Sequence, residues 1–482
     1  MVDFRPILLV IGSLLIPLGL GMLFPALVEL GSGNPGWPVF ITSSGFTLFM
    51  GVGLYLSNRG ADETLTIKQG FLLTSLVWVV LPAFAALPFI FSELQMSYTD
   101  AYFEAMSGLT TTGSTVIVGL DSAPPGILMW RALLQWLGGI GIIVMAIAIM
   151  PMLKVGGMQL FRMESSDASE KILPRMTQLA GAISGLYLTF TIACFAFYAL
   201  AGMPSFDAAA HAMTTIATGG FSTSDQSLAK FDTPLVELTG IVFMILGSLP
   251  FVLYLQVIRG RPQKLWQDSQ VRFFLSLVLF LILALALWLS LTQGFNFLSA
   301  LRYSSFNTVS ILTGTGYAIA AYDTWGAIAP VFFFVIMFIG GCAGSTTCGI
   351  KVFRFQVLFA VVATHLKKIS RPHAVYQAKF NSRPISDRVI ESVLGFLFLF
   401  AASYVVLVVL LSLTGLDYIT VLSGVSATLS NVGPGLGEVI GPSGTFEPLP
   451  DSAKWILSFA MLLGRLELLT ILVLFTRGFW RA

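Results

Sequence analysis

The chain has 482 residues, 56% of them hydrophobic and 10% charged, with a formal net charge of +2. A soluble domain of ordinary composition carries about 25% charged residues, so a water-soluble globular protein is excluded, and no polar stretch is long enough to hide a soluble domain. Three cysteines (Cys194, Cys342, Cys348) and three scattered histidines (His211, His365, His373) build neither a disulfide framework nor a metal cage. With no phosphate-binding loop, nucleophile elbow, zinc-protease helix or dinucleotide fingerprint in the chain, it does not read as an enzyme.

The apolar residues fall in blocks of roughly 20, the length that crosses a hydrocarbon core as a helix. In chain order the candidate spans are 6–29, 37–57, 70–92, 128–152, 177–201, 235–258, 272–292, 327–363, 388–413 and 453–476. The first lacks a small-x-small cleavage site and reads as a retained helix. Ten spans put both termini on one side. Of the 26 Lys and Arg, 21 lie on that side, from Arg5 and Arg59 through Lys154–Arg175, Arg259–Arg272 and Lys351–Arg388 to Arg481. The other side keeps Arg131, Lys230, Arg302 and Lys454, and Arg465 falls inside a span. The basic side, with both termini, is therefore expected to be cytoplasmic.

Four connections on the outer side, 98–127, 205–234, 296–326 and 417–451, are too long and too apolar for simple loops. Each opens with about a dozen helix-compatible residues, enough to enter a membrane but not to cross it. Re-entrant backbone is tolerated only inside protein or against water. After the half-helices come Thr110-Thr111-Thr112-Gly113-Ser114, Ala217-Thr218-Gly219-Gly220-Phe221, Gly314-Thr315-Gly316-Tyr317 and Asn431-Val432-Gly433-Pro434. The glycines recur at 113, 220, 316 and 433, and the first two segments align without gaps from Ala105 and Ala212. That self-similarity is an internal repeat. The expected fold is an all-α polytopic membrane protein: two leading transmembrane helices (1–68), then four pseudo-fourfold M1–pore-loop–M2 repeats (69–160, 161–265, 266–386, 387–482) around one pore.

Threonine and glycine suit a cation filter, because glycine lets a ribbon turn its carbonyls inward to replace an ion's water shell. The half-helices aim their negative dipole ends at the same place. In the second repeat Gly219 competes with Gly220, and Gly220 preserves the ungapped match. The long span 327–363 is interrupted by ten small residues, Gly340 to Gly349. Glycine at this density breaks helices, so the stretch reads as a flexible intramembrane gate below the filter; the competing reading is a GxxxG packing face, Gly340 to Gly344, on a continuous helix. Arg465 in the last span must face water or a partner, either as a barrier in the pore or in a salt bridge with another helix. Glu104 and His211 in the first two half-helices read as hydrogen-bonding groups behind the filter.

The Thr-Thr-Gly-Ser and Ala-Thr-Gly-Gly-Phe-Ser segments, the Gly340–Gly349 stretch and Arg465 together resemble the Trk/Ktr/HKT superfamily of potassium transporters, most closely its bacterial TrkH-type uptake subunits. The resemblance covers the whole chain. It implies K+ as the transported ion with some Rb+ permeation, no organic cofactor, a homodimer with one pore per protomer, and a cytosolic nucleotide-binding (TrkA-like) regulatory subunit. It places the chain in the bacterial inner membrane among lipids, with no nucleic acid partner. It assigns the filter to Thr111, Thr112, Gly113, Thr218, Gly219, Gly220, Thr315, Gly316, Asn431, Val432 and Gly433. The gate falls to Gly340, Gly341, Gly344, Ser345, Gly349 and Arg465. The fourth segment departs most from the pattern, with Asn431 in place of threonine and Pro434 after the glycine. The basic stretch from Lys367 to Arg388, and the mixed-charge loop Lys154–Arg175, are candidate surfaces for lipid headgroups or the regulatory subunit. A Na+-permeable or cation-coupled relative of the same fold is the alternative; plant relatives of the Na+-permeable kind resemble the family with serine at the first filter glycine, which here is Gly113.

Overall fold

The computed structural model describes residues 3–61, 65–148, 172–371, 373–381 and 383–481. The first two spans, Arg5–Gly31 and Trp37–Asn58, pack against each other closely enough that a Cβ on Gly12 would meet the Gly51 carbonyl at 2.8 Å. Four units follow, each a spanning helix, a half-length helix and a second helix that returns. The half-length helices are Tyr98–Leu109, Ser205–Ile216, Phe297–Leu312 and Tyr418–Leu429. Three of them start on a side-chain cap: Ser97, Asn296 and Asp417 accept from the N–H groups of Asp100, Leu298 and Ile419 with Thr420. Such caps satisfy backbone donors that the first turn leaves unpaired.

The returning helices differ from one another, and here the structure corrects the expectation of a single interruption. The first, Pro125–Ala148, is continuous. The second is bent by 95° between Pro234–Ser248 and Phe251–Ile258, and the fourth by 106° between Asp451–Arg465 and Leu469–Phe475. The third is split into Ile328–Ile336 and Val352–Ser370. Pro250 explains the second bend, since proline removes a helix donor and disfavours helical backbone in the residue before it. The fourth contains neither glycine nor proline at the bend: Glu467 and Leu468 adopt φ of 56° and 43°, and Arg354 of another helix holds the Glu467 carboxylate at 2.8 Å. Among the described residues, seven helices are long and apolar enough to cross a membrane, or nine if each bent pair counts as one span. The split third returning helix, Ile328–Ile336 and Val352–Ser370, is not among them.

One two-stranded hairpin, Lys379–Phe380 with Arg383–Pro384, interrupts the otherwise helical chain inside the basic stretch. The end of the expected span 128–152, the boundary at 160/161, and Lys154, Arg162 and Lys171 lie outside the described residues.

Candidate ion pathway

All four half-helices end in the same way, and the ending is a backbone motif. The last helical residues are Leu109, Ile216, Leu312 and Leu429, each four residues before a repeat glycine. Thr111, Thr218, Gly314 and Asn431 then turn left-handed, with φ of 53°, 50°, 68° and 52°. Their N–H groups bond back to Gly108, Thr215, Ile311 and Thr428, and the N–H groups of Thr112, Gly219, Thr315 and Val432 reach Ser107, Thr214, Ser310 and Ala427. This paired pattern is a Schellman cap. It stops each helix and throws the chain back along the axis. Asn431 is thereby placed in register with the other three; asparagine is also among the residues that tolerate left-handed backbone best. Threonine is not, and a β-branched residue held there costs about 1–3 kcal/mol, a strain found mostly at functional sites.

The four strands after the caps close a ring. The repeat glycines 113, 220, 316 and 433 have φ of 91°, 77°, 82° and 106°. A Cβ built on Gly113 would lie 2.3 Å from the Gly219 carbonyl oxygen, and one on Gly220 1.8 Å from that of Thr315. On Gly316 it would lie 2.1 Å from the Val432 oxygen, and on Gly433 2.8 Å from the Thr112 oxygen. Each glycine thus abuts the carbonyl before the glycine of the next repeat, in cyclic order, and the fourth abuts the first. The register also settles the second repeat: Gly220 stands in the ring position, and Gly219 is the residue before it.

On one side of the ring a cavity of about 320 Å³ opens, lined by Ser114, Gly220, Ser222, Asp225, Gly316 and Pro434 among others. At its rim Lys230 donates to Asp121 at 2.8 Å and holds that carboxyl below the usual carboxylate range. On the other side lies a smaller cavity of about 50 Å³, bounded by Gly344, Ser345, Cys348 and Arg465. The Gly340–Gly349 stretch forms a folded loop there, so the continuous-helix packing reading is excluded. The loop is not slack. Cys342 N–H donates to Ser248, Phe251 N–H to Gly344 and Thr346 N–H to Gly247, so the bend of the second repeat carries it. A Cβ on Gly340 would run into the Cys348 carbonyl and one on Gly341 would come within 2.9 Å of the Ser248 carbonyl, while Gly344 and Gly349 take φ of 76° and 70°. The loop also reaches the ring side: Thr218 donates its hydroxyl to Thr346 at 3.1 Å.

Arg465 is 2% exposed at the end of its helix, immediately before the 106° bend. Its guanidinium donates to the carbonyls of Thr346 (3.3 Å) and Gly138 (2.9 Å) and to Cys348 Sγ (2.6 Å), and stands over the Trp78 ring. Its Nε has no hydrogen-bond partner among the described residues. Among the described residues, no ion pair is made by Arg465.

Comparison with known proteins fits this geometry. Residues 37–480 match the family model described as TrkH, cation transport protein. The chain belongs to the TrkH family of cation transport proteins. It is 44% identical to the Trk system potassium uptake protein TrkI of Halomonas elongata, over 99% of this chain and 97% of the relative. It is 41% identical to the Trk system potassium uptake protein TrkH of Vibrio parahaemolyticus, over 100% of both. The crystal structure of the potassium transporter TrkH from that organism superposes with a TM-score of 0.92 at 39% identity, covering 100% of both chains.

This TrkH-family chain also carries polar groups that the sequence reading misplaced or missed. Arg131, counted among outer charges, is 1% exposed and pairs with the fully buried Glu104 at 2.7 Å. It donates further to the Ser222 carbonyl at 2.7 Å and lies over the Phe221 ring, so the pair ties the first half-helix to the second strand. Glu104 also accepts from Val116 N–H and Thr115 Oγ1. His211 bonds the Asp207 carbonyl and Ser222 Oγ. Both stand behind the ring, as expected. Lys351 donates to the Thr347 carbonyl at the loop's exit. A lysine or arginine in an otherwise apolar stretch was the signal available for each basic group.

Proposed function

We propose that this chain carries potassium ions into a bacterial cell across the inner membrane, through the ring of four strands. The observation that carries the reading is the ring itself: four identical helix caps turn four strands into one closed circuit of backbone carbonyls at the narrow point between two cavities. Carbonyls so arranged replace a cation's hydration shell, and four half-helix C-termini add their negative dipole ends. Thr111 Oγ1 beside the ring is buried with no partner among the described residues, a polar group left for an ion or water to satisfy. The relatives named as potassium uptake proteins support K+ as the ion; its filter in this reading is Thr111, Thr112, Gly113, Thr218, Gly219, Gly220, Thr315, Gly316, Asn431, Val432 and Gly433.

Below the filter, the Gly340–Gly349 loop and Arg465 act as the gate. Arg465 lines the small cavity together with Lys351, and among the described residues neither forms an ion pair with a carboxylate; the loop fills the path beside them. Both termini lie in the cytoplasm, as the excess of Lys and Arg on that side requires. Two protomers, each with its own pore, and a cytosolic nucleotide-binding subunit on the basic face complete the working assembly. A cation-coupled mechanism would use a free carboxylate at mid-membrane; Glu467, the candidate, is engaged by Arg354. The test is uptake of radiolabelled Rb+ into proteoliposomes holding the purified chain alone, competed by K+, Na+ and other monovalent cations. Uptake blocked by K+ and indifferent to equal Na+ supports the reading, and equal competition by Na+ overturns it.

A further inference from the structure

One side chain grips the second strand of the ring on both sides of its glycine. Gln135 lies one helical turn after Arg131 on Pro125–Ala148 and is fully buried. Its Nε2 donates to the Gly219 carbonyl at 2.6 Å and its Oε1 accepts from Phe221 N–H at 3.0 Å. The two bonds straddle Gly220 and fix the amide's orientation, since the reverse placement would oppose two donors and two acceptors. The gripped carbonyl is the one that abuts Gly113 across the first junction of the ring. Among the described residues, no side chain bonds the corresponding carbonyls of Thr112, Thr315 or Val432. The clamp also accounts for the double glycine of the second repeat. A Cβ on Gly219 would fall 2.4 Å from Gln135 Cδ, so Gly219 makes room for the amide, whereas Gly220 makes room for the neighbouring strand.

We propose that Gln135 is a positioning residue for ion selection: it sets the tilt of the Gly219 carbonyl and holds the second strand at the radius that suits K+. The amide never meets the ion. It acts through a carbonyl whose second lone pair remains free, and its donated bond withstands the pull of a smaller cation that would draw that oxygen toward the axis. Na+ needs the closer approach, so the clamp penalises Na+ more than K+.

This rests on the reading of the ring as a potassium filter, and the experiment separates the two claims. Gln135→Glu keeps the shape but replaces the donor with an acceptor facing the Gly219 oxygen; Gln135→Met keeps the length and removes both bonds. Rb+ uptake by each variant is competed with K+ and Na+ beside the wild type and Gly220→Ser, and thermal melting in detergent is recorded for all. The expected result is a fall in K+ over Na+ discrimination of at least about tenfold in both Gln135 variants, the factor that 1.4 kcal/mol represents. It should arise from a weaker half-saturation for K+ at little-changed maximal rate, in protein that melts as a folded species. If Gly220→Ser loses discrimination while both Gln135 variants keep it, the clamp is packing alone and the inference is overturned. If neither variant yields folded protein, the amide serves stability and the inference is equally overturned. If Gly220→Ser also keeps wild-type discrimination, it is the filter reading that fails.

Discussion

Placing serine at each ring glycine in turn should harm selectivity in an order fixed by the geometry. The new Cβ must sit at least 3.0 Å from neighbouring atoms, against built distances of 1.8 Å at Gly220, 2.1 Å at Gly316, 2.3 Å at Gly113 and 2.8 Å at Gly433. The strands must therefore part by about 1.2, 0.9, 0.7 and 0.2 Å respectively. The atom met is a backbone carbonyl each time, which cannot swing aside as a flexible side chain would. Left-handed backbone adds roughly 1–2 kcal/mol for any residue with a Cβ. At about 1.4 kcal/mol per factor of ten, Gly220→Ser and Gly316→Ser should each lose at least about tenfold in K+ over Na+ discrimination. Gly113→Ser should follow in the same direction, and Gly433→Ser should be mildest. The assay is Rb+ uptake with K+ and Na+ competition at matched expression. Wild-type discrimination in all four variants, or Gly433→Ser as the most damaged, would refute the ring geometry as the source of selection.

Arg465→Ala should raise K+ flux severalfold without altering ion preference, because a fixed charge about 6 Å from the path repels a cation by roughly 3 kcal/mol at an effective dielectric near 20; an unchanged flux in folded protein would remove Arg465 from the gate. Deleting three or four residues from within Gly340–Gly349 should raise basal flux, since the backbone bonds that seat the loop, donated to the Ser248 and Gly247 carbonyls and by Phe251 N–H, are lost; equal flux before and after would make the loop structural. Glu104→Gln leaves the Arg131 charge buried without its carboxylate and should lower stability by about 3–5 kcal/mol, read as a fall in melting temperature, with the double change Glu104→Gln and Arg131→Met recovering part of it.

Much of this architecture was legible in the chain. The four half-helices follow from length and apolarity, and the ring glycines from their shared distance to the half-helix ends. The split of the third returning helix follows from ten small residues in a row. Pro250 carried a readable signal for the second bend. The fourth bend had none: no proline marks it, and the Glu467 at the bend pairs with an arginine 113 positions away in sequence. Arg131, inside the expected span 128–152, was counted only as an outer-side charge; its pairing with Glu104 depends on the half-helix packed against Pro125–Ala148, which the sequence does not display. Asn431 looked like a departure because residue type was compared without the backbone; the left-handed cap position it fills is one that asparagine suits. Gln135 was an uncharged polar residue one turn from Arg131 in an otherwise apolar span, and only its distance to Gly219 shows that it bonds the ring.

The most direct measurement of the central claim is anomalous scattering from crystals of the protein grown in Rb+ in place of K+, with data collected at the rubidium edge. An anomalous peak on the axis of the ring, within coordination distance of the carbonyls of Thr112, Gly219, Thr315 and Val432 and absent from crystals grown in Na+, is the predicted result. Bound Rb+ elsewhere in the bundle with an empty ring, in protein that still transports Rb+, would contradict it.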